Sequence, residues 1–337
     1  MIEVIKPGLL TSVQDLGRTG LRHLGIITAG AFDADALRIG NELVGNPAGA
    51  AALEFTLLGP TLRARRDLLI ALSGPDFEAT CDGVRVAMRR PLAVRKGAVI
   101  SIGRALTGAR GYLAIAGAID VPAVLGSRST DLRSRIGGLD GRALRVADLL
   151  PCGVPGDQGQ AVLRQLLARG GGNVPARWWL AAIDDLRGDL AHLHVLDGSD
   201  APLLDRHSIR AATRAVWRAA PMSDRMGLRF EGPTLTTVTR TESISSAVLP
   251  GTVQLTPDGR LIVLGVDAQT TGGYPRIGHV IRVDLGRLAQ VRPGDRVRPV
   301  RVTEDAAFAI RATRDRELAR MREAIADRLH ATAQGRG

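Results

Sequence analysis

Short apolar runs, each closed off within a few residues by glycine, proline, aspartate or serine, dominate this sequence. Leu68–Ser73, Tyr112–Ala116, Leu193–Leu196, Thr252–Leu255, Leu261–Val266 and Val280–Val283 all have this form. Runs of that length suit strands, because a helix needs a longer periodic stretch. Forty glycines and seventeen prolines supply the turns between them. Leu92–Val94 and Ala98–Ile102 flank Lys96-Gly97, a pair that predicts a hairpin. The expected class is mainly β (α+β), with few helices.

Two helices stand out against this background. Asp33 can cap a helix over Ala34–Val44, because its carboxylate accepts the free amide hydrogens of the first turn. Gly45 then ends it, and Asn46-Pro47 prevents continuation. The second helix spans about Glu304–His330, with Leu318, Met321, Ile325 and Leu329 on one stripe. Its expected role is packing or oligomer contact rather than chemistry.

The length of 337 residues fits about two domains. A weak internal echo supports a division. Gly20-Leu21-Arg22, Gly59-Pro60-Thr61-Leu62 and Val94-Arg95-Lys96-Gly97 return in order as Gly227-Leu228-Arg229, Gly232-Pro233-Thr234-Leu235 and Val291-Arg292-Pro293-Gly294. The expected organisation is one β unit over 1–150, a connection over 151–191, a second β unit over 192–303, and a helix with tail over 304–337.

Composition narrows the function classes. Aromatic residues make up only 3%, too few for base-stacking platforms. The net charge is +11, carried by 43 arginines and two lysines, Lys6 and Lys96. The arginines interleave with acids along the whole chain instead of concentrating on one element, which reads as a solvated surface and not a nucleic-acid stripe. Cys81 and Cys152 sit in no metal or disulfide pattern. The opening residues form no secretory leader, and no apolar run approaches the ~18 residues of a membrane span. A soluble cytoplasmic protein is expected.

Several segments can carry chemistry. Asp267-Ala268-Gln269-Thr270-Thr271-Gly272-Gly273-Tyr274-Pro275 lies at the exit of a strand. Gly272 and Gly273 let backbone amides approach a ligand. Gln269 offers a donor and an acceptor, the complement of a cyclic amide or ureido group. Thr270 and Thr271 add hydroxyls, and Tyr274 adds a ring with a polar tip. A plain Gly-Gly turn would use the same residues. In Ser223-Asp224-Arg225-Met226-Gly227, Arg225 can grip an anion, with Asp224 positioning it or accepting a proton. A local surface ion pair is the bland alternative. Gln14-Asp15-Leu16-Gly17-Arg18 is a similar polar loop, and Gly126-Ser127-Arg128-Ser129-Thr130 clusters hydroxyls around an arginine that could hold an anion. No phosphate-binding GxxxxGK[ST] loop, GxGxxG turn, GxSxG elbow or HExxH pair is present. His192 and His194 lack a third ligand, so no metal site is expected.

These same segments carry a resemblance. Ile5–Arg18, Gly30-Ala31-Phe32-Asp33, Asn41–Pro47, Leu53-Glu54, Gly59-Pro60, Gly111–Ala114, Leu125–Thr130, Ser223–Gly227, Pro250–Gln254 and Asp267–Pro275 together resemble the KipA family, which includes the C subunit of 5-oxoprolinase and allophanate hydrolase subunit 2. The likeness extends to about Val302. It implies two cyclophilin-like β-barrel carboxyltransferase subdomains, A and B. It also implies a KipI-like partner chain (the B subunit) and a LamB/YcsF-like chain (the A subunit). The first reaction it implies is ATP-dependent hydrolysis of 5-oxo-L-proline to L-glutamate, with ATP as co-substrate of the complex. The alternative is biotin-dependent carboxyl transfer to urea or an amide, with biotin carried by another chain. A non-catalytic regulatory binding role is a third reading. On this resemblance Asp224, Arg225, Gln269 and Tyr274 are the candidate catalytic residues. Gln254, Thr270, Thr271, Gly272, Gly273, Gln14, Asp15, Arg18, Ser127 and Arg128 are the candidate substrate-binding residues. Phe32, Leu228 and Val253-Gln254-Leu255-Thr256 depart mildly from the family pattern, which bears on substrate choice more than on fold.

Overall fold

A computed structural model describes residues 1–182, 190–238 and 244–336. The chain divides into two compact units, each assembled from separate stretches. The first contains Met1–Gly17, Ala29–Asp185 and Leu318–Gly337, and the second contains Arg18–Thr28 and Leu186–Glu317. Of the expected connection 151–191, residues 183–189 lie outside the described residues, as does Gly337 of the tail.

The first unit is built from two six-stranded antiparallel sheets. One runs in the order Leu149–Leu150, Ile2–Lys6, Thr61–Ala64, Val99–Ala105, Phe77–Cys81, Val84–Arg85. The other runs Val174–Pro175, Pro91–Val94, Leu68–Ser73, Arg110–Ile115, Ala52–Thr56, Leu10–Gln14. Alternate residues of both, among them Val4, Leu62, Ile100, Leu53, Ile70 and Leu113, form one apolar cluster. Phe55 and Phe77 meet edge to face there, with ring centroids 4.9 Å apart. The second sheet is also covered on its other face, which explains why Leu68–Ser73 and Arg110–Ile115 are buried at every position. That cover consists of the helices Ala34–Leu43 and Asp157–Ala168 and the C-terminal helix, through Leu37, Leu43, Val162, Leu166, Ile325 and Leu329.

The expected helices form. Asp33 caps Ala34–Leu43 by accepting the Ala36 amide at 3.0 Å. The last helix runs Glu304–Ala333, with Leu318, Ile325 and Leu329 buried and Met321 packed beside them. Two expectations need correction. Pro91–Val94 pairs with Leu68–Ser73, whereas Val99–Ala105 pairs with Thr61–Ala64 and Phe77–Cys81. Lys96-Gly97 is therefore a turn from one sheet to the other, not a hairpin, although Gly97 does take the left-handed φ of +92°. The run Val280–Val283 is the end of strand Arg276–Val280 followed by a single helical turn over Arg282–Asp284.

The second unit contains a closed seven-stranded barrel, in the order Leu190–Asp197, Arg276–Val280, Thr252–Leu255, Leu261–Leu264, Gly227–Glu231, Trp217–Ala219, Arg296–Arg301. Every pairing is antiparallel except the one that closes the ring, where Arg296–Arg301 runs parallel to Leu190–Asp197. Closure leaves no strand edge in the barrel unpaired. The interior retains a cavity of about 70 Å³ lined by Leu193, Trp217, Phe230, Val253, Leu261 and Val263 among others. Side chains alternate along a strand, so Gln254, Ile262 and Leu264 face outward. Ile262 and Leu264 pack there with Val248 and Ala268.

A short helix, Arg206–Arg214, is capped by Asp205, which accepts the Ser208 amide at 2.7 Å and the Thr236 hydroxyl. These bonds hold the Asp205 carboxyl down at about 2. A depressed folded-state value means that the cap contributes fully above an ordinary carboxyl's pKa of about 3.9, and that the contribution is lost as pH falls through about 2. Denaturant unfolding at stepped pH should show a smaller acid-induced loss between about pH 4 and 2 for Asp205→Asn than for the parent. Equal slopes would remove Asp205 from the acid response.

Candidate functional site on the outer face of the barrel

The strand Leu261–Leu264 leaves the barrel through Gly265 and Val266 and reaches Asp267, which is buried. A buried carboxylate needs partners, and Arg225 supplies them: its Nε donates to Oδ2 at 2.7 Å and one Nη to Oδ1 at 2.8 Å. The backbones are joined at the same place, with Asp267 N–H donating to Arg225 O at 3.1 Å and Gly265 N–H to Met226 O at 2.9 Å. Arg225 is thus held by a residue 42 positions away. The expected pairing with Asp224 is corrected. The Asp224 carboxylate accepts the amides of Met226 and Gly227, at 2.8 and 3.1 Å, and shapes the turn that delivers Arg225.

Beyond Asp267 the loop is pinned in three ways. Ala268 packs in the outer apolar cluster. Thr270 O accepts the Val248 amide at 3.0 Å. Thr271–Gly272 pairs with Ser246–Ala247 as a two-residue ribbon. Gln269 and Thr270 are half-buried, Thr271 and Gly273 are exposed, and Tyr274 is 44% exposed. Neither Gly272 nor Gly273 takes a left-handed φ, so conformational freedom is not what Gly272 provides. It provides room: a Cβ there would sit 2.6 Å from Nε2 of Gln254.

Gln254 projects outward from the strand Thr252–Leu255 beneath this loop. It is 2% exposed, and its Nε2 has no hydrogen-bond partner. A buried amide donor left unpaired costs about 1–3 kcal/mol. Arg22 lies against the same loop. One Nη donates to Val248 O at 2.7 Å and to Gln269 O at 3.2 Å, while its Nη1 is buried and unpaired. Burial pulls the Arg22 pKa down.

A second polar cluster lies in the two-sheet unit. Asp15 Oδ1 accepts the hydroxyls of Ser127 and Ser129, both at 2.6 Å, and the Gly17 amide at 2.7 Å; Oδ2 accepts the Arg128 amide at 2.6 Å. The anion held by the hydroxyl-rich loop is this carboxylate. The Arg128 guanidinium turns to Val121 O and Asp120. Gln14 Nε2 donates to Ser12 and to Thr130 O, while its Oε1 is buried without a partner.

The sequence profile of the carboxyltransferase domain, subdomains A and B, matches residues 24–301. The chain belongs to the carboxyltransferase domain family. It is 40% identical over 330 residues to the C subunit of 5-oxoprolinase from Escherichia coli (strain K12), covering 98% of this chain and 99% of that one. It is 37% identical over 325 residues to the C subunit of 5-oxoprolinase from Haemophilus influenzae, covering 96% and 99%. The crystal structure of Kluyveromyces lactis urea carboxylase matches with a TM-score of 0.83 at 27% identity, over 95% of this chain and 29% of that one.

Within this member of the carboxyltransferase domain family, the structure brings Arg225, Gln254 and the segment Gln269–Tyr274 to the outer face of the barrel, with Asp224 in the adjoining turn. It gathers Gln14, Asp15, Ser127 and Arg128 in the other unit. Arg18 is grouped with the barrel unit, where its amide donates to Thr28 O at 2.7 Å. Sequence reasoning missed Asp267 as the partner of Arg225, since nothing local marks a contact across 42 positions. It also missed Arg22, which nothing in its own stretch distinguishes from the many other arginines. Among the described residues, no group of three or more His, Cys, Asp or Glu side chains could hold a metal ion, and no helix is long and apolar enough to cross a membrane.

Proposed function

We infer that this chain is the C subunit of a 5-oxoprolinase, acting in the cytoplasm with a KipI-like chain and a LamB/YcsF-like chain in ATP-dependent hydrolysis of 5-oxo-L-proline to L-glutamate. Near-full-length identity to two proteins of that name supports the choice of reaction. The observation that carries the choice of site is the buried, unpaired Nε2 of Gln254 under the loop Gln269–Tyr274.

The chemistry follows from these groups. Hydrolytic opening of a lactam places negative charge on the carbonyl oxygen as water adds to the carbonyl carbon; the charge returns to the carbonyl when the ring C–N bond breaks and the nitrogen leaves protonated. A fixed donor in a dry site stabilises that charge more than water does. Gln254 supplies such a donor, lying beneath Gly272 of the loop. Gln269 reads the adjacent ring N–H, and the amides of Gly272 and Gly273 approach the same group. Thr270, Thr271 and Tyr274 border it. Arg225 acts as a positioning residue, because its guanidinium holds Asp267 and so the start of the loop. ATP enters as co-substrate of the assembled complex.

The likeness to urea carboxylase favours a second reading, in which the same donors receive the ureido group of biotin carried by another chain. Co-expression with the two partner chains decides between them. The expected result is ADP release that depends on 5-oxoproline and requires all three chains, with none from this chain alone. Carboxylation that depends on biotin, without 5-oxoproline-dependent ADP release, would move the assignment to the second reading.

A further inference from the structure

At this site Arg22 carries a charge that the reaction so far leaves unused. Its side chain is half-buried, and two backbone carbonyls, of Val248 and Gln269, take hydrogen bonds from a single Nη. Carbonyl dipoles position a guanidinium but do not neutralise it. Among the described residues no carboxylate pairs with Arg22, and its Nη1 is buried with no partner at all. Other arginines of this protein are treated differently: Arg225 has Asp267, Arg142 has Asp148, and Arg89 has Asp76. A buried cationic donor without an acceptor is costlier than an unpaired neutral one.

The ligand that resolves this has to be an anion. Its size is bounded by the donors available. Arg22 offers one unpaired nitrogen, and Gln254, against Gly272 of the same loop, offers one more. The two donors match one carboxylate oxygen, at Arg22, beside one lactam carbonyl, at Gln254. They are too few for a phosphate dianion, whose oxygens need more partners.

We propose that Arg22 is the binding residue for a carboxylate of the substrate, and that it makes this site select anionic over neutral amides. The proposal rests on the site assignment made above and adds to it the charge of the substrate. It separates two roles of Arg22 that a simple loss of activity would confuse. As a loop clamp, Arg22 would affect every ligand of the site alike. As a carboxylate receptor, it affects only ligands that carry one.

The test is calorimetric titration of the assembled complex with 5-oxoproline and with 2-pyrrolidinone, which keeps the lactam and lacks the carboxylate. The parent should bind 5-oxoproline about tenfold or more tightly than 2-pyrrolidinone. Arg22→Gln should lose that preference by weakening 5-oxoproline alone, and Arg22→Lys should recover part of it through charge without the fork. Equal weakening of both ligands, or of neither, overturns the proposal. If the parent complex binds neither lactam, the 5-oxoprolinase reading fails, and the subsite is judged separately by thermal melts in sodium acetate against sodium chloride at matched ionic strength. Acetate-specific stabilisation of the parent that Arg22→Gln lacks would uphold the carboxylate site. Its absence in the parent would refute the site even if Arg22→Gln folds poorly.

Discussion

Replacing Asp267 with alanine will destabilise the barrel unit by about 3–5 kcal/mol, the usual cost of stripping one partner from a buried ion pair. The change removes the bidentate acceptor of the Arg225 guanidinium, which is only 4% exposed. The loss should be local, so hydrogen exchange read by mass spectrometry is the suitable probe. Peptides covering Leu261–Leu264 and Gly227–Glu231 should exchange faster, while those covering Leu68–Ser73 stay protected. The double replacement Arg225→Met with Asp267→Leu should recover most of the protection, since removing both charges also removes the cost of burying them. Activity should not return, because the loop beyond position 267 depends on the pair for its direction. Unchanged exchange in Asp267→Ala would mean that the pair contributes nothing net and that the two backbone hydrogen bonds suffice.

The second large effect is expected at Gln254, with the opposite signature. Gln254→Leu exchanges an unpaired buried amide for an apolar group of similar size. Stability should stay level or rise, because a cost of about 1–3 kcal/mol disappears with the amide. Turnover of the complex should fall by roughly 10²–10³-fold, the range seen when one donor to a developing oxyanion is removed. The measurement pairs a steady-state assay of 5-oxoproline-dependent ADP release with a thermal melt. Full turnover in a stable Gln254→Leu complex would place the donor elsewhere. A sharp drop in melting temperature would show that the amide is satisfied in solution and that Gln254 is part of the core.

The contrast between these residues explains what is legible in the sequence. Strand Leu68–Ser73 is plain because six consecutive apolar or small residues between breakers have few other uses. Helix Ala34–Leu43 is plain because its cap, its stripe and its stop are all local. The pair Lys96-Gly97 misleads because a left-handed glycine turn reports only that the chain reverses, not which strands it then joins. Helix Asp157–Ala168 escapes notice among short apolar runs, although Val162, Leu163, Leu166 and Leu167 repeat at helical spacing. Around the site, the loop Asp267–Pro275 is identifiable from its own residues. The Arg225–Asp267 pair, the unpaired amide of Gln254 and the position of Arg22 are not, because each depends on how distant segments meet.

The order in which the chain is made differs from the order in which its parts can be finished. The second unit takes its residues from Arg18–Thr28 and Leu186–Glu317, and its ring closes once Arg296–Arg301 has emerged to pair with Leu190–Asp197. The first unit contains the earliest residues, yet it also draws on Leu318–Gly337, including the stripe residues Leu318, Ile325 and Leu329 that cover its outer sheet. The barrel can therefore be complete on a nascent chain while the unit that started first still lacks one side of its packing. Until this stripe has cleared the ribosome, the face of the sheet holding Leu69, Ala71 and Ala114 has no C-terminal helix over it. Early termination shortly before Leu318 would yield a chain whose later-made unit is whole and whose first-made unit is open, a product suited to capture by chaperones and proteases rather than to assembly.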